Sequence, residues 1–96
     1  MYADDCAKII CKILLNKKYF KLINIGTGED ITIKKLAKKI CKTVGFKGKI
    51  LYDKKMPNGV MRKTLEISKI KKLKLNKFIN FDLALNKTYK DFLNRI

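Results

Sequence analysis

Apolar positions recur at helical spacing in separate stretches of this chain, with lysines filling the gaps. Ala7, Ile10, Cys11 and Leu14 follow an i, i+3, i+4, i+7 pattern with Lys8 and Lys12 opposite. A first helix is predicted there, with the apolar stripe as its packing face. Asp4 or Asp5 can cap its start, because a carboxylate suits the positive end of the helix dipole; Asn16-Lys17-Lys18 ends it. Residues 21–25 (KLINI) read as a short strand stopped by Gly26-Thr27-Gly28. A second helix carries Ile33, Leu36, Ala37, Ile40, Cys41 and Val44 on one face, and Lys34, Lys35, Lys38, Lys39 and Lys42 on the other. Thr32 is its expected N-cap and Gly45 its stop. Residues 49–53 (KILYD) read as a strand, and Pro57-Asn58-Gly59 as a turn in which Gly59 tolerates positive φ. A short extended piece at 65–67 precedes a helix capped by Ser68 and running through Leu73. The last helix is predicted from Phe81 to Asn94, capped by Asn80 and burying Leu85, Tyr89, Phe92 and Leu93.

The predicted fold class is therefore α/β: helices with two or three short strands in one region spanning residues 1–96. So few strands make a weak sheet on their own, which points to part of a larger assembly. A chain of 96 residues buries only roughly 60–65% of its unfolded surface. The hydrophobic fraction of 47% is enough for a core, which argues against disorder. No apolar run approaches the ~18 residues of a membrane span. The first residues lack the basic flank and long apolar stretch of a signal peptide, so the expected compartment is cytoplasmic.

Charge and cysteines change this picture little. The net charge is +16, and such a field attracts phosphates. All the basic residues are lysines except Arg62 and Arg95. They are dispersed wherever a helix would face water, the pattern of a lysine-rich composition rather than a dedicated polyanion surface. A small basic nucleic-acid-binding module is the alternative from another class; the absence of an aromatic-rich RNA-binding strand argues against it. Cys6, Cys11 and Cys41 are odd in number and lack C-x-x-C spacing, and the chain has no histidine. No metal site is expected, and the thiols read as buried core residues.

Catalytic sets are missing. A dinucleotide fingerprint needs a small residue three positions after its second glycine; after Gly28 that residue is Ile31. The Gly-Thr-Gly is instead read as a turn that needs backbone freedom. Short-chain reductases use a tyrosine with a lysine four residues later, but Cys6, Ile23, Met56 and Leu93 follow Tyr2, Tyr19, Tyr52 and Tyr89. No catalytic residue and no cofactor site is therefore assigned to this chain. The informative stretch is residues 49–65, where a Pro-Asn-Gly turn leads to Arg62-Lys63. A guanidinium beside an ammonium suits a diphosphate, although composition alone favours an exposed basic pair.

Residues 24–37 (NIGTGEDITIKKLA), 44–53 (VGFKGKILYD) and 55–68 (KMPNGVMRKTLEIS) resemble three consecutive signatures of GDP-L-fucose synthases. Residues 2–7 (YADDCA) resemble the start of the C-terminal region of that family, and 88–93 (TYKDFL) its end. The resemblance implies the small C-terminal, substrate-binding lobe of an extended short-chain dehydrogenase. The complete enzyme would epimerise GDP-4-keto-6-deoxy-D-mannose and reduce it to GDP-L-fucose with NADPH. NADP(H) and the Tyr/Lys pair would belong to an N-terminal Rossmann half, supplied in cis or in trans. By the same resemblance Lys63, Lys49, Arg62 and Asn58 would bind the GDP-sugar, and the complete enzyme would form a homodimer. The chain by itself would be inactive. Another nucleotide-sugar epimerase or dehydratase is the nearest alternative. The chain departs from the family where Leu73-Lys74-Leu75 replaces Leu-Gly-Trp, which would put a lysine in a left-handed position. Without a Rossmann half, apolar surface on the first helix and around the strands would be left exposed and favour self-association.

Overall fold

The computed structural model describes residues 1–16 and 22–96. Its four helices are α1 (Ala3–Leu15), α2 (Ile33–Val44), α3 (Ser68–Lys72) and α4 (Phe81–Arg95). Lys17, Lys18 and the first residue of the predicted 21–25 strand lie outside the described residues. Among the described residues there is no strand, which corrects the expected two or three. Residues 22–25 are held beside residues 66–69 by side-chain bonds instead of a backbone ladder. Asn24 Nδ2 donates to the Glu66 carbonyl at 3.2 Å, and Lys69 Nζ to the Leu22 carbonyl at 2.6 Å. In the 49–53 stretch Leu51 and Tyr52 are exposed. A strand needs a neighbour to satisfy its N–H and C=O groups.

The core is small. Among the described residues, Ile9, Ile67 and Ile70 are the buried apolar ones, with Ile13, Ile23, Ile25, Leu75 and Phe78 packed around them. The face that α1 buries is thus Asp5–Ile9–Ile13, whereas Ala7, Ile10, Cys11 and Leu14 are exposed. The predicted stripe exists but points away from this core. Neither Asp4 nor Asp5 caps α1; its N-cap is Tyr2, with no side-chain cap bond. Asp5 is instead buried, and its Oδ2 accepts from the Ile79 N–H at 3.0 Å, pinning the entry to α4 against α1. At the edge of the same side, loss of solvent around the ring and the Asp4 carboxylate raise the Tyr2 phenol above its ordinary range.

Ser68 is the first residue of α3 rather than its cap. Its N–H donates to Glu66 Oε1 at 2.7 Å. Ser68, through its backbone and then its side chain, holds the Glu66 carboxyl below the usual carboxylate range, helped by Lys69 and Lys71. That stabilisation is present above the ordinary glutamate pKa and disappears as pH falls through the lowered folded-state value. Beyond α3, Lys74 has φ 54, the left-handed conformation implied by the glycine that the family carries at this place. The Leu75 N–H reaches the Ile70 carbonyl and the Lys74 N–H the Lys71 carbonyl, the paired bonds of a Schellman ending.

Helix α2 has the predicted ends. Thr32 accepts from the Lys35 N–H at 3.2 Å, and Gly45 at φ 73 stops the helix. The Phe46 N–H bonds the Cys41 carbonyl and the Gly45 N–H the Lys42 carbonyl. Helix α2 packs against α4, whose cap Asn80 accepts from the Asp82 and Leu83 N–H groups. Yet neither helix buries a residue. Leu85 and Tyr89 are half-buried as α4's inward positions, but Phe92 and Leu93 are exposed, contrary to expectation. Helix α4 has 15 residues and α2 only 12, so the shorter helix cannot cover the longer. Lys39, predicted to face water, lies half-buried at the seam. Its ammonium meets Asp82 and sits 5.8 Å from the Phe81 ring centroid.

The three cysteines are free thiols, and none is buried: Cys11 is exposed, and Cys6 and Cys41 are half-covered. The expected core thiols are thus corrected, because the faces carrying Cys11 and Cys41 have little packed upon them. The chain exposes 8891 Å². A compact monomer of 11.2 kDa would expose about 5,700 Å². Its radius of gyration of 16.7 Å likewise exceeds the ~12.5 Å of a compact domain of this length. Among the described residues, no helix is long and apolar enough to cross a membrane.

Candidate functional site

The Gly26-Thr27-Gly28 turn and the segment leading to α3 face one another across an open cleft of about 250 Å³. Its lining includes Ile25, Thr27, Gly28, Glu29, Lys63 and Thr64. Local geometry explains why this turn is glycine-rich. Gly28 has φ +76, and a Cβ there would stand 2.6 Å from Ile67 Cδ1, so any larger residue would be strained and would push on the core. Thr27 Oγ1 accepts from the Glu29 N–H at 3.3 Å, tightening the turn. The sequence-based assignment of this glycine pair to a turn is what the backbone shows. What sequence reasoning missed is that the same turn forms one wall of a cleft.

Of the four predicted binding residues, Lys63 lines the cleft. Arg62 lies beside it and ties the two walls together: its Nε is 2.9 Å from Asp30 Oδ2. Both side chains of that pair are well exposed, so it adds at most about 1 kcal/mol. Lys49 and Asn58 are exposed and are not part of this lining. In the Pro57 loop, Asp53 Oδ1 accepts from the Lys55 N–H at 2.9 Å. Gly59 is not among the glycines with positive φ, and a Cβ there would meet open space. The turn chemistry expected of Gly59 is therefore not used. The Glu29-Asp30 pair that follows the turn was the missed signal: one acid lines the cleft and the other meets Arg62.

A second, larger groove of about 370 Å³ runs between α2 and α4, lined by Lys38, Lys39, Lys42, Thr43, Asp82 and Asn86. Three ammonium groups and one carboxylate make it cationic. The cleft at Lys63 is chemically different, since it pairs one ammonium with two threonines, glycine backbone and Glu29. It can accept a phosphate through Lys63 and hydroxyls. The turn also departs from a dinucleotide fingerprint: Ile31 is half-buried where a small residue is needed, and α2 begins only at Ile33.

The comparisons with known proteins agree on one class. The relatives are GDP-sugar synthases. A GDP-L-fucose synthase of Sinorhizobium fredii is 32% identical over all 96 residues, which cover 31% of that protein. The Escherichia coli GDP-L-fucose synthase is 41% identical over 71 residues, 74% of this chain and 22% of the relative. A GDP-L-colitose synthase of Yersinia pseudotuberculosis is 35% identical over 95 residues, 98% of this chain and 31% of the relative. The chain belongs to the GDP-L-fucose synthase family and matches the C-terminal part of its members, spanning under a third of their length. No family model matches it, and no solved structure does.

Proposed function

We propose that this chain is the substrate-grasping lobe of an enzyme that makes GDP-L-fucose from GDP-4-keto-6-deoxy-D-mannose by epimerisation and NADPH-dependent reduction. The match to GDP-L-fucose synthases along the whole of this chain, and under a third of theirs, supports this reading. Lys63, at the cleft beside the Gly-Thr-Gly turn, is the first diphosphate contact, with Arg62 next to it. Lys49 and Asn58 lie outside the cleft lining, and their assignment to the nucleotide rests on the family resemblance alone. Grasping groups remote from the sugar holds it in register for chemistry performed elsewhere. NADP(H) and proton transfer belong to the rest of the enzyme, a Rossmann half joined in cis or in trans, and no step through the cofactor is assigned to this chain. The complete enzyme is a homodimer in the cytoplasm, and this chain alone turns nothing over. The 35% identity to a GDP-L-colitose synthase supports a second reading in which the same lobe grips a related GDP-sugar.

Calorimetric titration with GDP tests the grip. Wild type should bind, and Lys63→Ala should weaken binding by about tenfold, the scale of one lost charge-assisted contact. Equal affinity for wild type and Lys63→Ala would remove Lys63 from the site. Binding of nucleic acid at physiological salt with no binding of GDP would replace the reading altogether.

A further inference from the structure

Residues 53–63 form a loop with no helix or strand, and every one of them is exposed. Packing therefore does little to place Arg62 and Lys63. The loop has one bond of its own, from the Lys55 N–H to Asp53. Among the described residues, its single polar tie to the rest of the chain is the ion pair of Arg62 with Asp30.

Asp30 stands on firmer ground. The turn before it is tightened by the bond between Thr27 and Glu29, and it presses Gly28 against the buried Ile67. Two residues after Asp30, Thr32 caps α2 by accepting from the Lys35 N–H. A carboxylate set between a packed turn and a capped helix can anchor a side chain that comes from an open loop.

The geometry of the contact leaves Arg62 with donors to spare. Asp30 meets the guanidinium at Nε, 2.9 Å away. A carboxylate seated end-on would take both Nη groups, whereas one at Nε leaves at least one Nη, with its two N–H donors, for a second anion. The Arg62 side chain is 69% exposed, so those donors are open to a ligand. The next residue, Lys63, lines the cleft. Ordering a long side chain before its ligand arrives removes part of the entropy cost of binding.

We propose that Asp30 is a positioning residue for the diphosphate, acting through Arg62 to hold the Arg62-Lys63 pair at the rim of the cleft. This rests on the proposed function for the nature of the ligand. Charge alone predicts the reverse, since a carboxylate near an anion repels it. Glu29 provides the internal comparison. It carries the same charge one residue earlier and lines the cleft, but its carboxylate has no ion pair among the described residues. Removing the charge of Glu29 should strengthen diphosphate binding, and removing that of Asp30 should weaken it.

The test is calorimetric titration of the chain with GDP and, separately, with inorganic pyrophosphate at one fixed ionic strength. Asp30→Asn should weaken both by roughly fivefold, the scale of one side chain left to be ordered by the ligand. Glu29→Gln should tighten both by up to about twofold, as a screened surface charge allows. Asp30→Glu keeps the carboxylate and should recover most of the affinity. In an Arg62→Gln background, Asp30→Asn should no longer weaken binding. The thermal midpoint of Asp30→Asn should stay within about 3 °C of wild type, because an exposed pair adds little to stability. Equal or tighter binding by Asp30→Asn overturns the proposal. So does a weakening that persists without Arg62, or one that comes with a collapse of the midpoint. Pyrophosphate bound with this dependence on Asp30, but no binding of GDP, would leave Asp30 in its role while the proposed function fails. GDP binding that is indifferent to Asp30 has the opposite meaning, and binding of neither ligand removes both.

Discussion

The side built on α1 and α3 and the side built on α2 and α4 hold together by different physics. The first closes over three buried isoleucines and is stitched by bonds between residues far apart in sequence: Asp5 to Ile79, Asn24 to Glu66, and Lys69 to Leu22. The second has well-formed helices with near-ideal ends but no buried residue, and an ion pair at its seam. Local helix quality and tertiary stability are thus separable here. The well-capped helices α2 and α4 bury no residue, whereas the five-residue α3 supplies the fully buried Ile70. Burial dominates because a shielded aliphatic side chain is worth about 1.5–3 kcal/mol, while a cap is worth about 1 kcal/mol.

That contrast can be broken from its strongest point downward. Ile70→Ala should cost about 2–5 kcal/mol, whereas Ile40→Ala, on the half-open face of α2, should cost under about 1 kcal/mol. Urea unfolding measures both, and equal costs would mean the two sides are equally packed. Asp5→Ala leaves the Ile79 N–H without its acceptor and should lower stability by about 1–3 kcal/mol. Hydrogen exchange at Ile79 should rise with it; an unchanged rate would deny Asp5 its pinning role. Lys74→Gly relieves a left-handed lysine and should raise the thermal midpoint, by the equivalent of about 1 kcal/mol. A drop instead would mean that the lysine side chain compensates for its backbone. The smallest effect belongs to the seam of the second side. Lys39→Met should change stability by less than about 1 kcal/mol, with any loss vanishing at high salt. A salt-independent loss would show packing of the Lys39 stem on Phe81 rather than charge.

The candidate site was partly legible beforehand. Arg62 and Lys63 drew notice as a basic pair after a turn, and Lys63 does line a cleft. Its opposite wall, Gly26 to Glu29, is separated from it by more than thirty positions and had only the features of an isolated turn. Asp30 looked like one acid among many lysines until it was found 2.9 Å from Arg62. Helical spacing likewise revealed a stripe at Ala7, Ile10, Cys11 and Leu14, but spacing names a face without saying what covers it.

The sequence by itself determined the helices, the Thr32 and Asn80 caps, the Gly45 stop, the left-handed Lys74 and the family, because each depends on neighbours within a few residues or on matching motifs. Only the tertiary structure decided which side of α1 meets the core, that Asp5 serves Ile79 instead of a helix end, and that no strand forms among the described residues. Those outcomes depend on which distant groups come within hydrogen-bond and van der Waals range, and that distance is absent from a local pattern.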